Sequence, residues 1–347
     1  MNSNLVKWSS PSNIAIVKYW GKYGVQLPRN PSISFTLSTS KSITTLQFDE
    51  KTDDNYVINF EFEGQENQKF AQKTKQFFDK ISSALPWIKD YDFHIQSENT
   101  FPHSSGIASS ASGMSALVMC LLDMGKILGH YHPVDIQYLN DASHFARLGS
   151  GSACRSVFPV MAAWGEHHLY DHSSNLHAVP IIDEEIHEDF KTYHNDILIV
   201  SRTEKSVSSS AGHQLMETNP YADIRYKQAY DHMTDIKQIL KSGDIDAFGH
   251  IAENEALVLH ALMMASNPSY ILLEPSSLEV IKKIRSFRAE TGLPLYFTID
   301  AGPNIHVLYP HKIKEKVENF IHTDLKAHCS DGLIIQDNVG MGPEKLI

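Results

Sequence analysis

Residues 101–111 read F-P-H-S-S-G-I-A-S-S-A, and an apolar run follows at once. Ile107, Ala111, Met114, Leu117, Val118, Leu121 and Leu122 fall at helical spacing, which predicts a helix with one apolar face. The turn before it is small and rich in hydroxyls. Its backbone N–H groups lie at the positive end of the helix dipole, and Gly106 lets a ligand come close to the main chain. Such a turn suits a phosphate group. It equally suits an ordinary capped helix whose serines satisfy its own N-terminus. His103 sits inside the turn, where it can touch a nucleotide or hydrogen-bond the turn itself.

Working outward, the residues before this turn read as short strands at 14–17, 32–38, 42–48 and 56–62, then a helix at 68–83 and a strand at 91–97. After it come a helix ending near Gly125 or Gly129, another at 135–147, and a polar hairpin excursion over 167–189. A buried strand is expected at 195–201. Helices at 221–242, 246–264, 276–291 and 311–325 and strands near 295–300, 304–309 and 332–337 complete an α+β pattern. A domain boundary is expected near residue 190, giving units 1–190 and 191–347.

The bulk properties narrow the function. The formal net charge of the 347-residue chain is -11, which argues against a general binder of nucleic acid or anionic membrane. No apolar run is long enough to span a bilayer. Cys120, Cys154 and Cys329 are few, odd in number and widely spaced, so reduced thiols in a cytoplasmic enzyme are expected.

Three further segments can carry chemistry. In S-P-S-N-I-A-I-V-K-Y-W-G-K (10–22), Lys18 and Lys22 bracket Tyr19 and Trp20. An ammonium beside an aromatic wall attracts anions, although two solvated lysines at a strand end is the commoner arrangement. G-S-G-S-A-C-R-S (149–156) turns tightly and ends in Arg155, whose fork suits a carboxylate or phosphate. Cys154 has no paired base in the sequence and reads as a small buried filler. In F-T-I-D-A-G-P-N (297–304), Asp300 ends a strand before a rigid turn. It is placed either as a general base or as a simple turn cap. Ser208 and Ser209, before a short helix, read first as caps. The 19 histidines include His167, His168, His172 and His177, whose spacing matches no zinc pattern and predicts a solvated loop.

In combination these segments are specific. P-H-S-S-G-I-A-S-S-A resembles the P-x-x-x-G-L-x-S-S-A signature of the GHMP small-molecule kinase superfamily. N-I-A-I-V-K-Y-W-G-K, G-S-G-S-A-C-R-S and T-I-D-A-G-P-N are similar to segments of its diphosphomevalonate decarboxylases, and together they span residues 13–304. The resemblance implies an N-terminal ribosomal-protein-like α+β domain, a C-terminal ferredoxin-like α+β domain, and an active site in the cleft between them. It implies phosphorylation by ATP, with Mg2+, of the 3-hydroxyl of 5-diphosphomevalonate. Loss of that phosphate with carbon dioxide then gives isopentenyl diphosphate for isoprenoid synthesis in the mevalonate pathway.

By the same resemblance, Asp300 accepts or orients the hydroxyl proton, Arg155 clamps the substrate carboxylate, and Lys18 holds the phosphate-accepting region. Tyr19, Trp20, Lys22, Ser150, Gly151, Ser152 and Ser209 bind the substrate, with Asn13 in support. Pro102, His103, Ser104, Ser105, Gly106, Ser109 and Ser110 line the ATP phosphates, Ser110 being the oxygen expected nearest the magnesium. The resemblance also favours a homodimer. The chain departs from the family pattern at His103, Ser104 and Ser105, at Pro159 and Val160, and at His213, where a methionine is usual. The alternatives are a decarboxylase of a related acid such as 5-phosphomevalonate, and a GHMP kinase that stops at the phosphorylated product.

Overall fold

A computed structural model describes residues 4–102, 107, 109–203 and 207–347, with main chain alone at 135 and 136. His103, Ser104, Ser105 and Gly106 of the expected phosphate turn lie outside the described residues.

The first elements in the chain are β1 (Leu5–Val17), β2 (Lys22–Tyr23), β3 (Leu27–Pro28), β4 (Ser32–Glu50), β5 (Ile58–Phe62), β6 (Gln65–Glu66) and α1 (Gln68–Ile81). They are followed by β7 (Tyr91–Asn99), α2 (Ser109–Ile127), α3 (Asp135–Gly149), β8 (Met161–Trp164), β9 (Ala178–Pro180) and α4 (Glu188–Lys191). The remainder comprises β10 (His194–Leu198), α5 (Ser209–Leu215), α6 (Ala222–Ser242), α7 (Ile245–Met264), α8 (Pro275–Thr291), β11 (Tyr296–Thr298), β12 (Ile305–Tyr309), α9 (Lys314–Phe320), β13 (Ile334–Ile335) and β14 (Glu344–Lys345).

One sheet runs β14-β1-β4-β7-β5-β6, with β8 and β9 joined to the first half of β4. The second is antiparallel, ordered β11-β12-β10-β13. β1 lies deepest. Its residues from Ser9 to Val17 are all buried, because α2 and α7 both pack on it. Ile14, Ile16, Phe35 and Leu37 of the first sheet share an apolar cluster with Ile197, Phe248 and Tyr296. The two sheets are therefore cemented through one core.

Several expectations are refined. α2 is not amphipathic with one apolar face. Thirteen of its 19 residues are buried, among them the consecutive run Ser115–Gly125, because it packs against β1, β4 and α3 together. The two strands expected at 32–38 and 42–48 are one bent strand. Residues 32–35 of β4 pair with β8, and residues 42–50 pair with β7. At the bend the pairing with β1 shifts register. There the N–H groups of Ser38 and Thr39 donate to Asp337 Oδ1, and that of Ser40 to Oδ2, each at 2.8 Å. A distant carboxylate thus replaces the missing ladder bonds. The expected hairpin excursion holds only the connection between the paired strands β8 and β9, β9 itself and the start of α4. Within it His167 is buried, not solvated, packed on Tyr170 and Tyr230.

Two buried charged groups lock this arrangement. Glu255 on α7 receives both forks of Arg225 from α6, His232 Nδ1 at 2.6 Å and the main-chain N–H of Lys18 at 2.8 Å. Burial pushes the carboxyl pKa up, but Arg225 and these hydrogen bonds outweigh it and hold the group below its ordinary value. Breaking such a pair from one side strands the other charge. Glu255→Ala is expected to lower stability by about 3–5 kcal/mol, read as a shifted denaturant midpoint.

Asp196 in β10 accepts from Tyr309 Oη at 2.6 Å, yet burial raises its pKa to about 6. The folded state then binds this proton more tightly than the unfolded chain. The resulting stabilisation is complete below about pH 4 and is lost as pH rises through about 6. Asp196→Asn should stabilise the protein by about 1–3 kcal/mol at pH 7.5 and by nothing at pH 4, measured by thermal melts at both pH values.

Candidate active site

β1 ends at Val17, and the next residues carry the chemistry. Lys18 is buried, with its Nζ 2.8 Å from Asp300 Oδ1. Its main chain is fixed from three sides: N–H to Glu255, and carbonyl to Asn30 Nδ2 at 2.9 Å and Arg225 at 3.1 Å. Burial lowers the Lys18 pKa and the Asp300 charge opposes the shift.

Asp300 arrives from the other sheet, two residues past β11. Its carbonyl accepts from Gly302 N–H at 2.7 Å and from His260 Nε2 at 3.1 Å, so the Ala-Gly-Pro turn is rigid behind it. Its side chain retains 26% exposure, enough to meet a ligand.

Arg155 belongs to a 3-10 helix, Gly151–Val157, where the sequence reading placed only a tight turn. Close approach explains Gly151. A Cβ there would lie 3.0 Å from Tyr19 Oη and 3.1 Å from the Trp164 ring. The guanidinium is fully buried, and its described hydrogen-bond partners are all neutral. Its Nη1 donates to Ser32 Oγ at 2.6 Å, its Nε to Ser34 Oγ at 3.0 Å, and Nε and Nη2 to Asn13 Oδ1 at 3.4 and 3.3 Å. Burial lowers its pKa, and Asp300 is among the groups that resist the change. The group stays cationic. Burial pushes the neighbouring Cys154 thiol up to about 12, which removes it as a nucleophile and fits the filler reading.

All three charged residues line one cavity of about 740 Å³. Tyr19, Trp20, Lys22, Ser150, Gly151, Ser152, Ser208 and Ser209 line it too, as do Ser109 and Ser110 at the start of α2. Ser208 also caps α5, its Oγ accepting from Ala211 N–H at 3.2 Å. Two expected residues stand elsewhere. Asn13 does not line the cavity. It lies buried behind Arg155, with its Nδ2 donating to Ser156 Oγ at 2.8 Å and to Ser152 O at 3.1 Å. Pro102 does not line it either.

The sequence reading missed Lys73 and Lys80, Phe60, Phe62 and Phe70, Asn99 and His213 as lining residues. Part of the signal was there: Lys73 and Lys80 lie seven apart on α1, hence on one face, and Phe60 and Phe62 alternate on β5. The described lining carries five cations, Lys18, Lys22, Lys73, Lys80 and Arg155, against one carboxylate, Asp300. In a protein of net charge -11 this is a local reversal of sign. It suits a ligand with several negative charges.

Comparison with known proteins identifies the family. The family model for the diphosphomevalonate decarboxylase-like N-terminal domain matches residues 10–175, and that for the mevalonate 5-diphosphate decarboxylase C-terminal domain matches 196–342. A diphosphomevalonate decarboxylase from Ganoderma lucidum is 36% identical over 331 residues, covering 89% of this chain and 80% of its own. A solved structure of MDDEF in complex with MVAPP, AMPPCP and magnesium superposes with a TM-score of 0.82 at 29% identity, over 99% of each chain. Mevalonate diphosphate decarboxylase from Staphylococcus aureus gives 0.83 at 27% identity, over 99% of this chain and 98% of its own. With both halves matched and the two-domain α+β architecture shared, the chain belongs to the diphosphomevalonate decarboxylase family.

Proposed function

We propose that this cavity carries out the ATP-dependent decarboxylation of mevalonate 5-diphosphate, giving isopentenyl diphosphate, ADP, phosphate and carbon dioxide, as a step of isoprenoid synthesis. The observation that carries the reading is the pairing of unlike charges at one cavity. Arg155 is a cation with only neutral described partners, and Asp300 is a carboxylate fixed from a different sheet.

The geometry supports the following roles. Arg155 presents a rigid fork to the substrate carboxylate. Its neutral partners hold it in place without competing as anions, so orientation dominates. Asp300 takes or orients the proton of the 3-hydroxyl. Lys18 keeps that carboxylate aimed and lends positive charge beside the oxygen that receives the phosphoryl group. Once phosphate departs, C3 becomes electron-poor, and the Asp300 carboxylate stabilises it electrostatically. Lys22, Tyr19, Ser150, Ser152 and Ser209 hold the diphosphate. Ser109 and Ser110 sit at the N-terminus of α2, where nucleotide phosphates are favoured.

Among the described residues no cluster of three or more His, Cys, Asp or Glu side chains forms a protein cage for a metal. That fits magnesium, which keeps waters and binds chiefly through substrate phosphates; Ser110 would supply a nearby oxygen. When bound, the ion neutralises charge on the transferred phosphoryl group.

The proposal includes two domains divided near residue 190, a homodimer, and a cytoplasmic setting. Three unpaired, buried cysteines support the last of these.

Incubation with ATP, magnesium and mevalonate 5-diphosphate should release carbon dioxide and ADP in equal amounts. ADP alone would mean a kinase, and preference for mevalonate 5-phosphate would reassign the substrate. Asp300→Asn is expected to cut kcat by about 10³-fold with nucleotide binding retained. Substantial residual turnover would remove Asp300 from the chemistry. Arg155→Lys should lose about 10²-fold in kcat/KM, because an ammonium cannot reproduce the fork; a near-native rate would refute the carboxylate clamp.

A further inference from the structure

His213 is a cavity residue that the roles above leave unused. It lies on α5 and is buried, its ring 4.3 Å from that of Tyr19 and 4.6 Å from that of Trp20. α5 can come this close because its Gly212 has no side chain; a Cβ there would stand 2.6 Å from Trp20 and from Tyr270 Oη. The ring is therefore gripped by the same segment that carries Lys18 and Lys22.

Its hydrogen bonding fixes its tautomer. Gly21 N–H donates to His213 Nδ1 at 3.0 Å. A backbone N–H can only donate, so Nδ1 bears no proton and the neutral ring carries its single proton on Nε2. Burial pulls the ring's pKa down to about 3, the Lys22 ammonium adding to the shift, so the ring stays neutral under working conditions. Among the described residues nothing accepts from Nε2, and this atom is not among the buried polar atoms sealed from solvent. A fixed donor thus stands at the cavity beside Lys22, among the residues proposed to hold the diphosphate.

We infer that His213 Nε2–H is a substrate-binding donor to the terminal phosphate of mevalonate 5-diphosphate, working with Lys22 to distinguish diphosphate from monophosphate. This rests on the catalytic reading above. The donor is neutral and pre-oriented, so it adds affinity without adding a charge that the product diphosphate must escape. It acts on the non-reacting end of the substrate and belongs in KM more than in kcat.

Three variants separate the two nitrogens. Asparagine can place an acceptor where Nδ1 stands and keep the Gly21 bond, but it stops short of Nε2. Glutamine reaches the Nε2 position with an N–H donor. Methionine supplies neither. His213→Asn and His213→Met should each raise KM for mevalonate 5-diphosphate by about tenfold, with kcat little changed and KM for the monophosphate unmoved. His213→Gln should stay near wild type.

An Asn variant that behaves as wild type beside an impaired Gln variant would reduce His213 to a clasp on Gly21 and overturn the assignment. Three variants that are equally native or equally impaired would also overturn it. The wild-type protein, labelled with ¹⁵N-histidine, tests the same point without substitution. Adding mevalonate 5-diphosphate without ATP should move one Nε2-protonated imidazole N–H downfield, and no movement sinks the proposal. Wild-type enzyme that releases no carbon dioxide from this substrate fails the catalytic reading itself and takes the His213 assignment with it.

Discussion

Lys18 is an almost wholly buried ammonium at the wall of the cavity, and the structure is organised around making that tolerable. An unpaired buried lysine would give up its proton; here Asp300 stands 2.8 Å away and opposes the effect of burial. The two partners come from different sheets. The contact that makes the lysine tolerable is therefore also one of the contacts that join them. Glu255, Arg225 and Asn30 then hold the main chain of Lys18, so the ammonium has little freedom to wander from the carboxylate. An exposed ion pair is worth little because each partner can be lost to solvent. This one is over-determined from several directions, and it sits where the chemistry needs a carboxylate of fixed aim.

Arg155 solves the opposite problem. It too is buried, but hydroxyls and an amide hold it in place of a carboxylate. Neutral acceptors take some of the N–H groups and leave the positive charge uncancelled. The two buried cations therefore differ in kind: one is already spoken for by a protein anion, and the other waits for an anion from outside. Lys22, Lys73 and Lys80 extend the positive lining beyond this pair. An acidic protein can thereby attract phosphorylated ligands to one crevice without becoming a general binder of polyanions.

The site was legible where its chemistry is local in the chain. K-Y-W-G-K, G-S-A-C-R-S and D-A-G-P each carry their own glycine or proline and place their charges within a few residues, so a short window suffices. Their meeting at one cavity was not legible from any one of them. Asn13 was expected in support of the substrate-binding residues, and where it stands, buried behind Arg155, depends on residues far off in the chain. Lys73 and Lys80 were missed because their place depends on how α1 docks beside β5. The fold shows the same division. Helices and most strands follow their periodicity, whereas the single bent strand β4 could not be read from its own residues. What lets it bend without breaking is Asp337, far away in sequence. The all-round burial of α2 is likewise a property of its neighbours.

The clasp by Asp337 has a consequence for biosynthesis. Ser38 and Asp337 are separated by 299 positions, and β14 is laid against β1 from later still. As the polypeptide leaves the ribosome, the central sheet emerges early with its bend unsatisfied and its outer edge bare. It waits in that state while the 299 positions between Ser38 and Asp337 are made. Maturation of the sheet that holds Lys18 is thus a late event. A nascent chain that has passed Asp300 holds Lys18, Arg155 and Asp300, yet still lacks the fastening that sets the strand beneath them.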